Sequence, residues 1–218
     1  MRAAYDYGAD AVYAGSPRYS LRARNNEFAK LDVLEQGIKE AHERNKKFFL
    51  TVNTLPHNSK LKTFVSDMEP LIAMKPDALI MADPGLIMTV REKWPEMPIH
   101  LSVQANTTNY WGVKFWQNIG VERIILSREL SMEEIAEIRQ ECPDIELEVF
   151  IHGALCIAYS GRCLLSGYFN HRDPNQGTCT NSCRWDYKVH NATESDAGDA
   201  QLLQGFNFEK AQEEANQN

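Results

Sequence analysis

The sequence predicts an α/β fold of the (β/α) TIM-barrel type, and three observations favour it. Short apolar runs alternate with helical patterns at a spacing of roughly 20–30 residues. These runs are apolar throughout, which is typical of parallel strands that are covered on both faces. Polar residues follow each run and no G-x-G-x-x-G motif does, so a barrel is favoured over an open doubly wound sheet, which the spacing also allows.

The individual elements follow in order along the chain. The first eight residues have the pattern of a helix end that is closed by Gly8. Apolar runs then predict strands at residues 10–14, 47–53, 78–82, 99–103, 123–126 and 146–151. Helical spacing of apolar residues predicts helices between them, at residues 31–44, 61–74, 86–94, 110–119 and 131–139. The last of these begins with a capping box, in which Ser131 is paired with Glu134.

We divide the chain into three regions. Residues 1–153 are predicted to form the β/α units of the barrel, residues 154–190 a cysteine-rich region, and residues 191–218 an acidic tail. A closed barrel has eight strands, so we expect an incomplete barrel that lacks a strand at each end. The tail has six acidic residues, one basic residue and no apolar periodicity, and we expect it to be flexible.

Charge and cysteine usage restrict the partners and the compartment. The chain has a formal net charge of −7, but basic residues outnumber acidic ones between residues 150 and 190. A basic site in an acidic protein suits a small anionic substrate better than bulk coating of nucleic acid. No apolar run is long enough to cross a membrane. Five clustered cysteines and no visible secretion signal favour free thiols over disulfides, so we expect a cytoplasmic protein.

Four of the five cysteines lie close together after the sixth predicted strand. Cys156, Cys163, Cys179 and Cys183 have the spacing C-x6-C-x15-C-x3-C. Thiolates bind zinc or iron–sulfur clusters, and a structural zinc site usually has two tight cysteine pairs, whereas only the last two cysteines are close here. The spacing favours an iron–sulfur cluster and leaves zinc and unligated thiols open. Cys142 lies apart and is predicted to be a small buried residue.

Polar side chains at the carboxyl ends of the predicted strands are the candidate binding residues, because these ends converge on one rim of a barrel. Arg22, Arg24 and Arg128 suit the carboxylates of a small dicarboxylate, since guanidinium forks match that geometry. Arg128 is also a candidate catalytic residue. The alternative is an ordinary ion pair, for example between Arg128 and Glu129.

Three amides are further candidates for substrate binding. Asn53, Gln104 and Asn106 have the hydrogen-bonding groups to hold a base or a ring hydroxyl. The alternative for each amide is capping of the loop backbone. Trp111 and Trp116 lie on a predicted helix, where we expect them to pack rather than to stack on bases.

Two residues near the first cysteine are candidate catalytic groups. His152 has an unperturbed pKa near neutrality and is a candidate acid or base, with a supporting hydrogen bond near the cysteines as the alternative. Glu148, on the sixth predicted strand, is a catalytic candidate whose alternative role is to pair with a buried arginine.

The same residues resemble the signature of the collagenase-like peptidase family. The signature run is E-x-F-x-x-G-A-L-C-x-x-x-x-G-x-C-x-x-S, which Glu148 to Ser166 fill. The resemblance extends upstream through D-A-V-Y-A-G, V-N-T-L-P-H-N, S-V-Q-A-N and I-L-S-R-E-L, and downstream through R-D-P-N-Q-G to Trp185.

This resemblance implies a barrel catalytic domain that hydroxylates RNA, specifically the wobble uridine of tRNA to 5-hydroxyuridine. It implies prephenate as the source of the hydroxyl group, and tRNA and this small anion as partners. It also implies an iron–sulfur cluster, of the 4Fe-4S type, with Cys156, Cys163, Cys179 and Cys183 as ligands. Two alternatives remain, namely a peptidase and a non-catalytic, metal-stapled RNA-binding module. The peptidase is disfavoured because G-x-S-x-G, H-E-x-x-H and a Cys–His pair are missing.

Overall fold

A parallel sheet forms the centre of the computed structural model, which describes residues 1–23, 26–153 and 156–188 and the backbone of 192–194 and 200–202. Its strands are β1 (Ala11–Gly15), β2 (Lys47–Val52), β3 (Ala78–Met81), β4 (Ile99–Leu101), β5 (Arg123–Ile125) and β6 (Glu146–Glu148). Each strand pairs in parallel with the next one along the chain. A doubly wound sheet reverses its strand order at a switch point, and this sheet does not. The predicted α/β fold of barrel type is therefore confirmed.

Helices separate the strands, much as predicted. They are α1 (Arg2–Asp6), α2 (Leu31–Glu43), α3 (Asn58–Leu61), α4 (Phe64–Ala73), α5 (Pro84–Lys93), α6 (Tyr110–Asn118), α7 (Met132–Glu141) and α8 (Leu165–Asn170). Short 3₁₀ turns follow at Val103–Ala105, Pro174–Gln176 and Ser182–Arg184. Both halves of the predicted capping box at the start of α7 are formed by Ser131 and Glu134. The helix predicted at 61–74 corresponds to α4, which begins at Phe64, and the short helix α3 precedes it.

Two strands, β4 and β6, end two or three residues earlier than predicted. β4 stops at Leu101 because the Ser102 hydroxyl accepts the N–H of Gln104 and begins a 3₁₀ turn. β6 stops at Glu148, the last residue in register with β5, and Ile151 beyond it is 93% exposed. Apolar residues alone therefore do not prolong a strand once its ladder partner has ended.

Both faces of the sheet are apolar, which explains the unbroken apolar runs. The larger cluster of buried side chains joins one face of the sheet to the helices and includes Phe48 and Leu50 of β2. Phe49 lies on the opposite face, in a smaller cluster with Ile80 and Ile125. Alternate residues of one strand thus enter two separate cores, as the period of two requires.

The chain separates into two compact units, Met1–Cys183 and Arg184–Asn218. In the second unit β7 (Ala192–Glu194) and β8 (Ala200–Leu202) pair antiparallel, which the polar sequence does not predict. The rest of residues 189–218 lies outside the described residues, so the flexibility expected there stays a prediction, as do the boundaries at 153 and 190. No described helix is both long and apolar enough to span a membrane.

Candidate active site

The segment from residue 156 to residue 183, called the cysteine segment below, is attached to the carboxyl ends of β1 and β2. The Leu55 N–H donates to the Asn175 carbonyl at 3.0 Å. The Gln176 side-chain amide donates to the Leu55 carbonyl, and Lys60 Nζ donates to the Gln176 carbonyl at 2.8 Å. Three hydrogen bonds therefore hold one end of the segment on the edge of the sheet where barrel enzymes bind substrates.

Two glycines allow the cysteine segment to approach this edge closely. Gly177 has a φ of +91°, and a Cβ at this position would lie 2.7 Å from the Ser20 carbonyl oxygen. Gly161 has a φ of +74°, and its Cβ would lie 2.3 Å from the Gln104 carbonyl oxygen. Both contacts are with backbone, which cannot move aside like a side chain, so only glycine fits without a shift.

Arg128 links the carboxyl end of β5 to the same segment. Its guanidinium donates to the Ser160 hydroxyl at 2.8 Å and lies 5.5 Å from the centre of the Phe150 ring. Ser160 is buried and Arg128 is half-buried. In the described part of the chain Arg128 forms no ion pair, so the alternative pairing with Glu129 is not observed. Arg128 is thus oriented by neutral groups and keeps its positive charge uncompensated.

Two of the predicted amides connect loops at this edge. Asn53 accepts the Leu21 N–H and donates to the Ser102 hydroxyl, both at 3.2 Å. Asn106 has a left-handed backbone, with a φ of +52°, and its side-chain oxygen accepts the Ser127 hydroxyl at 2.8 Å. This geometry matches the loop-capping alternative, and a role of these amides in substrate binding stays a prediction.

Three predicted binding residues remain, and the structure describes two of them, Gln104 and Arg22. Gln104 is half-buried, and its backbone carbonyl is the atom that faces Gly161. Arg22 is exposed in the loop after β1, where its backbone N–H donates to the Ser20 hydroxyl at 3.3 Å. Arg24 lies outside the described residues.

Glu148 forms an ion pair with Arg123, and pairing with an arginine is the alternative role that was predicted for it. Its carboxylate lies 3.3 Å from an Arg123 nitrogen, and Glu146 lies 2.7 Å from another. The Arg123 hydrogen bond and charge lower the pKa of the Glu146 carboxyl. His152 is exposed in the loop after β6. The structure therefore does not bring His152, Glu148 and Arg128 into one contact network among the described residues.

A charged cavity that was not predicted from the sequence lies at the opposite, amino end of the sheet. A cavity of about 400 Å³ is lined by Phe49, His100 and Arg123, among others. The His100 ring lies edge-on to Phe49 at 4.6 Å, and Arg123 lies 5.4 Å from the same Phe49 ring. Burial, and secondarily the Arg123 charge, lower the pKa of His100 to about 4. A histidine inside an apolar strand is the sequence signal that could have identified this group.

All five cysteines are free thiols in the structure. Cys142 is buried, which raises the pKa of its thiol, and the prediction of a small buried residue is confirmed. Of the other four, Cys179 is exposed and the rest are half-buried. Within residues 1–23, 26–153 and 156–188, no three His, Cys, Asp or Glu side chains are grouped closely enough to hold a metal ion.

The donor chemistry of the four thiols nevertheless fits a cluster. Four free thiols in one short segment are the ligand set of a four-cysteine iron–sulfur site, and apolar residues are sequence neighbours of Cys156 and Cys163. The structure brings the segment to the edge of the sheet but does not gather the four sulfur atoms, so the ligand set remains a prediction.

Two further expectations concern reactivity and packing. No cysteine thiol in the described part of the chain is hydrogen-bonded to a histidine; Cys179, for example, contacts the Asn181 side chain at 3.8 Å. The pair that a cysteine peptidase requires is thus missing among these residues.

Trp116 packs against the core as expected, whereas Trp111 is 70% exposed, so the packing prediction is wrong for Trp111.

A barrel-type sheet with a cysteine-bearing segment on its carboxyl edge defines an α/β protein with a candidate thiolate site. The model of peptidase family U32 matches residues 1–216, and the chain belongs to this family. It is 68% identical over 198 residues to tRNA hydroxylation protein P of Haemophilus influenzae, covering 91% of this chain and 43% of that protein. The Escherichia coli protein of the same name is 67% identical over 198 residues, covering 91% and 44%.

A more distant relative and a solved structure complete the comparison. The 23S rRNA 5-hydroxycytidine C2501 synthase of Escherichia coli is 36% identical over 188 residues, which are 86% of this chain and 28% of that protein. The structure of the U32 peptidase Mk0906 matches with a TM-score of 0.57 at 17% identity, covering 69% of this chain and 63% of that one, and supports the fold. The chain spans less than half the length of each of these three curated relatives.

Proposed function

We propose that this chain is part of a tRNA-hydroxylating enzyme that converts the wobble uridine to 5-hydroxyuridine. The observation that carries the proposal is the 68% identity over 198 residues with a protein named for tRNA hydroxylation. A relative named for forming 5-hydroxycytidine in ribosomal RNA supports it, because the same position of a pyrimidine is hydroxylated. The proposed partner is tRNA and the proposed compartment is the cytoplasm.

The proposed active face is the carboxyl edge of the sheet, next to the cysteine segment. Hydroxylation needs a donor of the hydroxyl group, and we take prephenate, a dicarboxylate, to be that co-substrate. Arg128 is the best-supported carboxylate ligand, since its uncompensated charge is held in place by Ser160 and Phe150. Arg22 and Arg24 are the further proposed carboxylate ligands, and Asn53, Gln104 and Asn106 the proposed ligands of the base.

We propose that Cys156, Cys163, Cys179 and Cys183 hold a 4Fe-4S cluster. Such a cluster, when bound, would supply one-electron transfer. Side chains of the protein would supply the other catalytic groups. His152, four residues before Cys156, is the proposed group that holds or moves a proton. Glu148, the last residue of β6, is the proposed catalytic carboxylate.

Nucleoside mass spectrometry of tRNA tests the function. A strain that lacks the gene is complemented with the full natural protein or with variants, and 5-hydroxyuridine derivatives are measured. We expect Cys163→Ala to abolish the modification and Cys142→Ala, a thiol outside the segment, to retain it. Unchanged 5-hydroxyuridine derivatives in the deletion strain would refute the hydroxylase.

A second measurement separates the cofactor proposal from the activity. Iron and acid-labile sulfide are assayed in protein purified without oxygen. We expect both in the unmodified protein and in Cys142→Ala, and neither in Cys163→Ala. Absence of both from the unmodified protein, with all thiols free, would remove the cluster and favour a peptidase or a non-catalytic RNA-binding module.

A further inference from the structure

The cysteine segment exposes large side chains although it is attached to the sheet. Tyr159 is 57% exposed and Tyr168 is 80% exposed, and Ile157 and Leu164 project in the same stretch. The backbone of the segment is anchored, so these side chains belong to a fixed surface rather than to an undocked loop. An exposed apolar and aromatic surface of this kind marks a binding site more often than chance.

An exposed arginine accompanies each of the two tyrosines. The Arg162 N–H donates to the Tyr159 carbonyl at 3.0 Å, which closes a turn that carries both side chains. Tyr168 lies on α8, and Arg172 follows the end of that helix, where its N–H donates to the Ser166 carbonyl at 3.3 Å. Among the described residues neither guanidinium forms an ion pair, so each is available to an external anion.

Specific contacts hold both the Tyr168 ring and the start of its helix, α8, in place. Its ring packs edge-on against Phe169 at 5.1 Å. The start of α8 is tied down by Ser166, a buried residue whose hydroxyl accepts both the Thr180 N–H at 3.2 Å and the Thr180 hydroxyl at 3.0 Å. A ring that is already held in place loses little conformational freedom when a ligand stacks on it.

The positive charge of this surface favours a negatively charged ligand. Between residues 156 and 183 the basic side chains are Arg162 and Arg172 and the acidic one is Asp173, in a chain whose net charge is −7. The Asp173 carboxylate accepts the Asn175 N–H at 2.8 Å, and the two arginines leave the segment with an excess of positive charge. Aromatic faces interleaved with uncompensated arginines are the combination by which proteins bind single-stranded nucleic acid.

We infer that Tyr159, Arg162, Tyr168 and Arg172 form a surface that stacks unpaired RNA bases and contacts their phosphates beside the candidate active site. This inference rests on the proposed function, which makes tRNA the substrate, and it assigns the surface that receives the single-stranded loop. A double helix keeps its bases stacked on one another, so it cannot use the tyrosine faces.

Binding of a fluorescent RNA hairpin with a uridine-rich loop, measured by anisotropy with the purified 218-residue chain, tests the inference. Base–aromatic stacking contributes about 1–3 kcal/mol per base, so Tyr159→Ala and Tyr168→Ala are each expected to weaken binding about 5- to 150-fold. Tyr168→Phe retains the ring and is expected to bind as the unmodified chain does. Tyr7→Ala is the control, because Tyr7 is 94% exposed and precedes β1 at the opposite edge of the sheet.

The arginines are tested by salt dependence. Each phosphate contact contributes about 0.7 to the slope of log K against log salt for single strands, so Arg162→Gln and Arg172→Gln are each expected to lower the slope by about that amount. Lys75→Gln, an exposed lysine ahead of β3, is the control.

Three outcomes decide the inference. Unaltered hairpin binding by Tyr159→Ala and Tyr168→Ala, both with native circular dichroism, would overturn it. Equal loss of binding to a blunt duplex would also overturn it, because the tyrosines would then not act through unpaired bases. Selective loss of hairpin binding in a protein whose deletion leaves tRNA nucleosides unchanged would support the surface and reject only the hydroxylation.

Discussion

Replacement of Gly161 by alanine is expected to release the cysteine segment from the sheet. The new Cβ would lie 2.3 Å from the Gln104 carbonyl oxygen, and the backbone has a φ of +74°. The left-handed conformation alone costs a non-glycine residue roughly 1–2 kcal/mol, and the segment must also withdraw to relieve the contact. A loss of about 2 kcal/mol in docking free energy raises the population of the undocked segment about 30-fold.

Native-state hydrogen exchange measures this population directly. The Arg162 N–H is hydrogen-bonded to Tyr159 within the same turn, and we expect its exchange to accelerate about 30-fold in Gly161→Ala, while amides of β2 keep their rate. Gly8→Ala is the matched control, because Gly8 has a φ of +97° but no described atom within 4 Å of its Cβ position. Equal exchange at Arg162 in the two variants would show that the contact with Gln104 does not hold the segment.

Three further predictions concern the anchor, a buried histidine and the core. Lys60→Met removes the 2.8 Å hydrogen bond to the Gln176 carbonyl and is expected to cost about 1 kcal/mol of unfolding free energy, measured by urea denaturation; no change would mean that water replaces the lysine. His100 has its pKa lowered to about 4 from 6.5, so the unfolded chain binds the proton first and stability falls as the pH drops through this window. Between pH 6.5 and pH 5 this histidine should account for about 2 kcal/mol, so His100→Asn should lose less stability over that interval, and an identical loss would refute the assignment. Ile38→Ala on α2 is expected to cost about 2–5 kcal/mol, whereas Val33→Ala, 37% exposed on the same helix, should cost far less in the same assay.

Local sequence patterns predicted most of the sheet correctly. The run K-F-F-L-T-V-N predicts β2 because both of its faces are buried, and a strand with two buried faces must be apolar throughout. The capping box of α7 was also predictable, because its partners Ser131 and Glu134 are only three residues apart. The hairpin of β7 and β8 was missed because two polar strands of three residues leave no periodic signal.

The candidate site was predictable in position but not in detail. Four closely spaced cysteines after the sixth strand placed a site at the carboxyl edge, and the cysteine segment does lie there. The partners of Arg128 and Asn53 were not predictable, because Ser160 is 32 residues from Arg128 and Ser102 is 49 residues from Asn53. The sequence therefore predicted Arg128 and Asn53 as site residues but not the serines that they contact.

The sequence by itself determined the order of the strands, the barrel-type winding and the clustering of the thiols, since these follow from apolar periodicity and spacing along the chain. Only the tertiary structure decided that Asn175, Gln176 and two glycines attach the cysteine segment to the sheet. One of these contacts joins two backbone groups more than a hundred residues apart, the Leu55 N–H and the Asn175 carbonyl, and backbone groups are the same in every residue. Each of the three anchoring hydrogen bonds ends on a backbone carbonyl, and each glycine faces one. The two glycines therefore have a structural meaning only once their neighbours are known.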